Sequence, residues 1–222
     1  MFVKSIELHC FRNYEELNID FSKGINILYG DNAQGKTNVL EAVYVCGTTK
    51  SHKNSKDKEM IMISRDEAHI RIYIDKLGVE HRIDLHLKKS KSKGIAIDGI
   101  PIKKSSELMG MLPVIFFSPE DLSIIKNGPS ERRRFLDMEL CQTDKIYYYN
   151  LSNYNKVLNQ RNNLLKQMET EKSLKDTLDA WDIQLVQYGV EIIKIRRNFL
   201  NEINEIVKVI HEKITDGKEI LR

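Results

Sequence analysis

Cysteine is scarce in this chain of 222 residues: Cys10, Cys46 and Cys141 lie far apart. No pair has metal-ligand spacing, and an odd number argues against a disulfide framework, so the thiols are expected to be buried and reduced. Proline is sparse as well, and three of the four (Pro113, Pro119 and Pro129) crowd one stretch. The remainder is open to long uninterrupted elements. No apolar run approaches the ~18 residues of a membrane span. The N-terminus, MFVKSIELHC, has no apolar signal core. These absences predict a cytoplasmic protein with no membrane partner. An excess of one charge is missing too, since 35 basic and 32 acidic side chains leave only +3. That sum neither demands nor excludes nucleic acid, so the placement of charge has to decide.

What is present falls into two regimes. Residues 1–118 read as strands with one or two helices, and residues 119–222 as a wholly helical arm. Residues 2–9 alternate weakly in polarity, as an edge strand does. Residues 16–21 form a second short strand with Leu17, Ile19 and Phe21 on one face. The short apolar runs 25–29 and 114–117 have the pattern of buried strands. The clearest β region is 68–100. Ile70, Ile72 and Ile74 alternate with polar residues, a turn follows at 76–78, and Ile83, Leu85 and Leu87 alternate in turn. Ile95 and Ile97 then lead to an Asp98-Gly99 turn. This is an antiparallel meander. In the helical half, Leu174, Leu178, Trp181, Leu185, Tyr188, Ile192, Ile195 and Phe199 are spaced 4, 3, 4, 3, 4, 3 and 4. That is a heptad seam, and it continues through Ile203, Ile206, Ile210 and Ile214 with one stutter. Leu151, Tyr154, Leu158, Leu165 and Met168 form a similar stripe upstream, interrupted by Arg161. Residues 169–173 are the expected joint.

One motif carries chemistry. Gly30-Asp31-Asn32-Ala33-Gln34-Gly35-Lys36-Thr37 matches G-x-x-x-x-G-K-[ST], the phosphate-binding loop. Gly30 lets the chain leave a strand sharply, and Gly35 lets backbone N–H groups close round phosphate oxygens. A helix starting near Lys36 points its positive end at the anion. Lys36 reaches the β and γ phosphates, and Thr37 offers a hydroxyl to Mg²⁺. The loop predicts binding of a nucleoside triphosphate, most simply ATP. A hydrolase also needs an acid at the end of a second apolar strand. The nearest candidates, Glu120 and Asp121, stand three and four places beyond residue 117 and behind Pro119, which suits a loop beside the nucleotide. No segment resembling Ser-Gly-Gly-Gln is present. By its own residues the chain carries half of an ATPase site, and little or no hydrolysis is expected of it.

The run Leu8-His9-Cys10-Phe11-Arg12-Asn13-Tyr14, the phosphate loop with the helix after it, Lys50-Ser51-His52 and Phe117-Ser118-Pro119-Glu120-Asp121-Leu122 stand in one order. They continue into Gly128-Pro129 and Arg132-Arg133-Arg134-Phe135-Leu136-Asp137. In these blocks the chain resembles the RecF family, relatives of the SMC and Rad50 ATPases. The resemblance implies an α/β fold: the N-terminal lobe of a P-loop ABC-ATPase head with an antiparallel β meander, followed by an incomplete coiled-coil-like arm. RecF proteins are longer, and their signature motif and Walker B acids lie beyond this stretch. The resemblance also implies ATP-dependent DNA binding, single-stranded and double-stranded, in replication, repair, the SOS response and recombination. Mediation at gapped DNA with RecR and RecO, and an ATP-dependent homodimer of heads, go with it. It places Arg12 and Asn13 near the nucleotide. An ion pair is an equal expectation for Arg12.

DNA contact directs attention to the lysines. Lys50, Lys53, Lys56 and Lys58 follow the phosphate-loop helix, and Lys89, Lys91 and Lys93 crowd the tip of the meander. Of these, Lys53, Lys56, Lys89, Lys91 and Lys93 are the candidate phosphate contacts. Lysine stands at 53 where RecF sequences often have arginine, which keeps the charge without the fork. Two other readings stay open here: an SMC-, Rad50- or RecN-like structural tether, and a small P-loop kinase.

Overall fold

The computed structural model describes residues 1–168 and 177–221; the expected joint at 169–173 and the seam position Leu174 lie outside them. The chain divides into two compact units, Met1–Thr143 and Asp144–Arg222.

The first unit is built on one antiparallel sheet. Its strands are β1 (Phe2–Phe11), β2 (Tyr14–Asp20), β3 (Glu67–Lys76), β4 (Val79–Lys88), β5 (Gly94–Ile97) and β6 (Ile100–Pro101), in the order β2-β1-β3-β4-β5-β6. Because strand side chains alternate between faces, the register gathers the aliphatic residues into rows. Leu8 pairs with Ile70, Ile70 with Leu85 and Leu85 with Ile95; beside them Ile6, Ile72, Ile83 and Ile97 line up in the same way. Ile6, Leu8, Ile70, Ile72, Ile83 and Leu85 are fully buried, and burial of each such side chain stabilises by roughly 1.5–3 kcal/mol. Helix α1 (Lys36–Thr48) covers this face with Val39, Ala42, Val45 and Cys46. The opposite face is polar, and Arg71 there bridges Asp84 at 2.7 Å and Glu7 at 3.1 Å.

The expected meander and both of its turns are present. Leu77-Gly78 and Asp98-Gly99 each take two positive φ values, 57° and 82° in the first and 52° and 82° in the second, the backbone of type I′ hairpin turns. Leucine is a poor residue for a left-handed position, and Leu77 is 92% exposed, so packing does not compensate. Leu77→Asn is expected to stabilise the unit by roughly 0.5–1 kcal/mol, read as a higher urea midpoint.

Three expectations need correction. β1 is not an edge strand, because β2 and β3 flank it. Residues 25–29 form no strand and join no ladder, and Ile25, Ile27 and Tyr29 are 89%, 78% and 91% exposed. Residues 114–117 likewise form no strand, and Ile115 and Phe117 stand 90% and 80% exposed. Apolar character made both runs look like buried strands, yet burial needs a neighbour for the backbone groups as well. Val114 finds a substitute: the Gln142 side chain accepts from its N–H at 2.7 Å and donates to its carbonyl at 3.1 Å. Gln142 belongs to α3 (Pro129–Thr143), which follows the short α2 (Ser123–Lys126).

The second unit is a helical pair, α4 (Lys145–Gln167) and α5 (Leu178–Ile214). Asp144 caps α4 by accepting from the N–H groups of Ile146 and Tyr147. The α5 seam expected from Leu178 to Phe199 is partly or fully buried at each step, with Ile192 the most buried. Of its continuation Ile203 is still partly buried, but Ile206, Ile210 and Ile214 are at least half exposed. The α4 stripe also differs. Of the expected stripe, Leu151, Tyr154, Leu158 and Met168 are partly buried and Leu165 is exposed, whereas the fully buried positions are Tyr147, Asn150 and Val157. Two of the covered places are polar. Arg161 pairs there with Asp182 of α5, and Asn150 is buried.

Candidate nucleotide-binding site

Residues 30–35 connect the irregular stretch 25–29 to α1. Gly30 and Gly35 have φ of 137° and 97°, and Ala33 between them is left-handed at 64°. Gly35 is the N-cap of α1; no side chain caps that terminus and no acid occupies the first turn. The first N–H groups of the helix therefore have no side-chain acceptor, which is the local chemistry of an anion site. The Lys36 ammonium turns back into the loop and donates to the carbonyls of Gly30 at 2.8 Å and Asp31 at 2.6 Å. Thr37 is exposed beside it, while Asp31, Asn32, Ala33 and Gln34 form the exposed rim.

The turn between β1 and β2 leans on this loop. Tyr14 Oη donates to the Gln34 carbonyl at 3.2 Å, and Asn13 Nδ2 approaches the same oxygen at 3.5 Å. Asn38 of α1 donates to Asn13 Oδ1 at 2.8 Å. A Cβ added to Gly35 would lie 2.5 Å from Tyr14 Oη and 2.7 Å from Asn13 Nδ2. Glycine is thus required at 35 by contact as well as by φ. Burial pushes the Tyr14 phenol up, so it remains a proton donor at neutral pH.

Arg12 makes an ion pair with α1. Its guanidinium forks onto Glu41 of α1 (Nε to Oε2 2.9 Å, Nη2 to Oε1 2.6 Å) and reaches Ser55 Oγ at 2.7 Å and the Glu59 carbonyl at 2.7 Å. Ser51 Oγ donates to Glu41 as well. The Glu41 side chain is fully buried, Arg12 only 19% exposed. Burial alone would raise the Glu41 carboxyl. The hydrogen bonds from Arg12 and Ser51, with the charges of Arg12 and Lys53, outweigh it and hold the group below the usual carboxylate range. Of the two expectations for Arg12, the structure displays the ion pair. Glu41 itself was missed; the signal was a lone acid amid the apolar residues of α1.

The two lysine-rich segments, remote in sequence, meet. Lys93 Nζ donates to the Thr49 carbonyl and to Asp57 Oδ1, the latter at 2.9 Å. Lys93 therefore ties the β4–β5 loop to the segment after α1, with its charge already matched. Lys89 faces Asp66 at 3.3 Å, whereas Lys53, Lys56 and Lys91 are exposed. At the remaining candidate, Asp121 accepts from the Ser118 N–H at 2.6 Å. It lines a cavity of about 230 Å³ with Tyr44, His52, Phe116 and Glu139. There His52 stacks on Phe116 with ring centres 4.1 Å apart, and burial raises the Glu139 carboxyl. Among the described residues no helix is long and apolar enough to cross a membrane.

Sheet, helix and loop together define a P-loop nucleotide-binding domain, and the chain belongs to the AAA domain family, whose pattern matches residues 5–219. Within that class its similarity is to RecF. It is 65% identical over 221 residues to the DNA replication and repair protein RecF of Lachnoclostridium phytofermentans, and 62% identical to that of Agathobacter rectalis. Both alignments cover all of this chain and 61% of the relative. The solved structure of the recombination mediator protein RecF-ATP in the RecFOR pathway superimposes with a TM-score of 0.93 at 35% identity. That match covers 97% of this chain and 58% of the other. A structure from work on ATP-driven dimerization and DNA-stimulated activation of SMC ATPases shares the fold, at 23% identity and a TM-score of 0.50 over 62% of this chain. The chain thus spans 61% of the length of the curated relatives it matches, and it corresponds to their N-terminal portion.

Proposed function

We propose that this chain is the ATP-binding lobe of a RecF-type DNA replication and repair protein. One observation carries the reading: the phosphate loop at the uncapped start of α1, with the Lys36 ammonium turned into it. Residues 30–37 hold the triphosphate, and the Thr37 hydroxyl would be the residue to hold the accompanying Mg²⁺, which would neutralise phosphate charge. The acid that would polarise water is not among this chain's own motifs, so it binds ATP with little or no turnover. Weak, magnesium-dependent ATP binding with hydrolysis at background is the expected result of an equilibrium titration and a phosphate-release assay; failure to bind ATP at millimolar concentration overturns the reading.

In the longer protein, ATP joins two such heads in a homodimer that grips DNA where single and double strands meet. RecR and RecO act with it in loading the recombinase at gaps. The similarity to RecF supports this, and the helical pair favours it over a long structural tether: α4 and α5 have 23 and 37 residues, about 35 and 55 Å. The exposed Lys53, Lys56 and Lys91 supply sequence-independent phosphate contacts, joined by Lys89; Lys93 acts mainly as a strut. Each lysine on a duplex phosphate contributes about 0.9 to the slope of log K against log salt, so Lys53→Ala with Lys56→Ala is expected to flatten that slope by about 1.8. DNA affinity that ignores salt would count against phosphate contact.

A further inference from the structure

We infer that Tyr14 is a positioning residue for the phosphate loop, aiming the backbone N–H of Gly35 at the bound triphosphate; the inference rests on the ATP-binding reading above. The argument starts from the peptide between Gln34 and Gly35. A trans peptide is planar, and its carbonyl and N–H point in opposite directions. The Gln34 carbonyl faces outward, toward the β1–β2 turn, where the Tyr14 hydroxyl donates to it at 3.2 Å and the Asn13 amide stands at 3.5 Å. The N–H of Gly35 consequently faces the other way, into the loop.

The ring of Tyr14 adds a wall behind that peptide, since a Cβ on Gly35 would lie 2.7 Å from Tyr14 Cζ. Asn13, held by Asn38 at 2.8 Å, closes the same wall from α1. An anion-binding N–H fixed before the ligand arrives loses less on binding than one that has to be ordered. Without the hydroxyl, the glycine-bounded peptide is free to turn, because Gly35 tolerates either sense of φ.

The variant Tyr14→Phe removes the hydroxyl and keeps the ring. We expect ATP and inorganic tripolyphosphate to lose affinity alike, by roughly three- to tenfold, the worth of one neutral hydrogen bond. The thermal midpoint is expected to stay within experimental error, and in an ¹⁵N–¹H spectrum the Gly35 amide shift induced by ATP is expected to shrink. Unchanged affinity for both ligands overturns the inference. So does a loss of affinity accompanied by a proportionate loss of thermal stability, which marks a merely structural tyrosine. Lys36→Ala measured alongside separates the two claims: if Lys36→Ala abolishes binding and Tyr14→Phe does not weaken it, the ATP site stands and Tyr14 has no part in aiming it.

Discussion

Glu41→Ala is expected to lower the stability of the first unit by roughly 3 kcal/mol, the low end of the ~3–5 kcal/mol that follows removal of one partner from a buried pair. The low end applies because Arg12 retains an edge toward water. The loss exceeds that of an ordinary surface ion pair because three donors converge on this one carboxylate: Arg12 Nε, Arg12 Nη2 and Ser51 Oγ. Glu41→Gln keeps the shape and loses the charge, so it is expected to recover part of the loss. Urea unfolding at neutral pH measures both; a change under about 0.5 kcal/mol in Glu41→Ala is the surface-substitution range and would remove the pair from any structural role. The same group sets an acid dependence. Its folded pKa lies below the ordinary value of 4.5, so its contribution is complete above that value and disappears as the pH falls through the depressed one. Wild type is therefore expected to lose stability in that acid window more steeply than Glu41→Gln.

Lys36→Ala is expected to weaken ATP binding by about 10- to 150-fold, the equivalent of charge-assisted hydrogen bonds worth about 1.5–3 kcal/mol. Stability is expected to change by no more than about 0.5 kcal/mol, since the Lys36 bonds to Gly30 and Asp31 lie on an exposed loop. Fluorescent-ATP titration beside a thermal melt separates the two quantities. Undiminished affinity sinks the phosphate-loop assignment outright.

Much of this is legible in the amino-acid sequence. The meander was visible because strands with one buried face alternate, and Ile70, Ile72, Ile74, Ile83, Leu85 and Leu87 do so without a break. The loop was visible because phosphate binding fixes residue types at fixed spacing. The stretches 25–29 and 114–117 misled because hydropathy reports a preference for burial without naming what does the covering. The burial of Asn150 on α4 was hidden because hydropathy gives a polar residue no claim to a covered position. The role of Arg12 was balanced between two readings because its partner lies 29 positions away on α1. Tyr14 gave no signal of its own, since its importance comes from one carbonyl oxygen across the turn.

The pairing of Arg161 with Asp182 has a consequence for how α4 and α5 find their alignment. A seam of aliphatic and aromatic residues repeating every seven places is nearly degenerate: sliding one helix by a heptad, about 10 Å, brings similar side chains together again. Arg161 and Asp182 are both partly exposed, so their attraction adds about 1 kcal/mol at most. Discrimination is a different quantity from strength. The slipped arrangement separates Arg161 from Asp182, a loss that falls on the wrong alignment and spares the native one. Arg161 thus serves as one index mark on the scale, beside the hydrogen bond from Arg196 Nε to Tyr147 Oη at 2.8 Å, and a paired replacement by leucines is expected to leave the helices together with less preference for the native alignment.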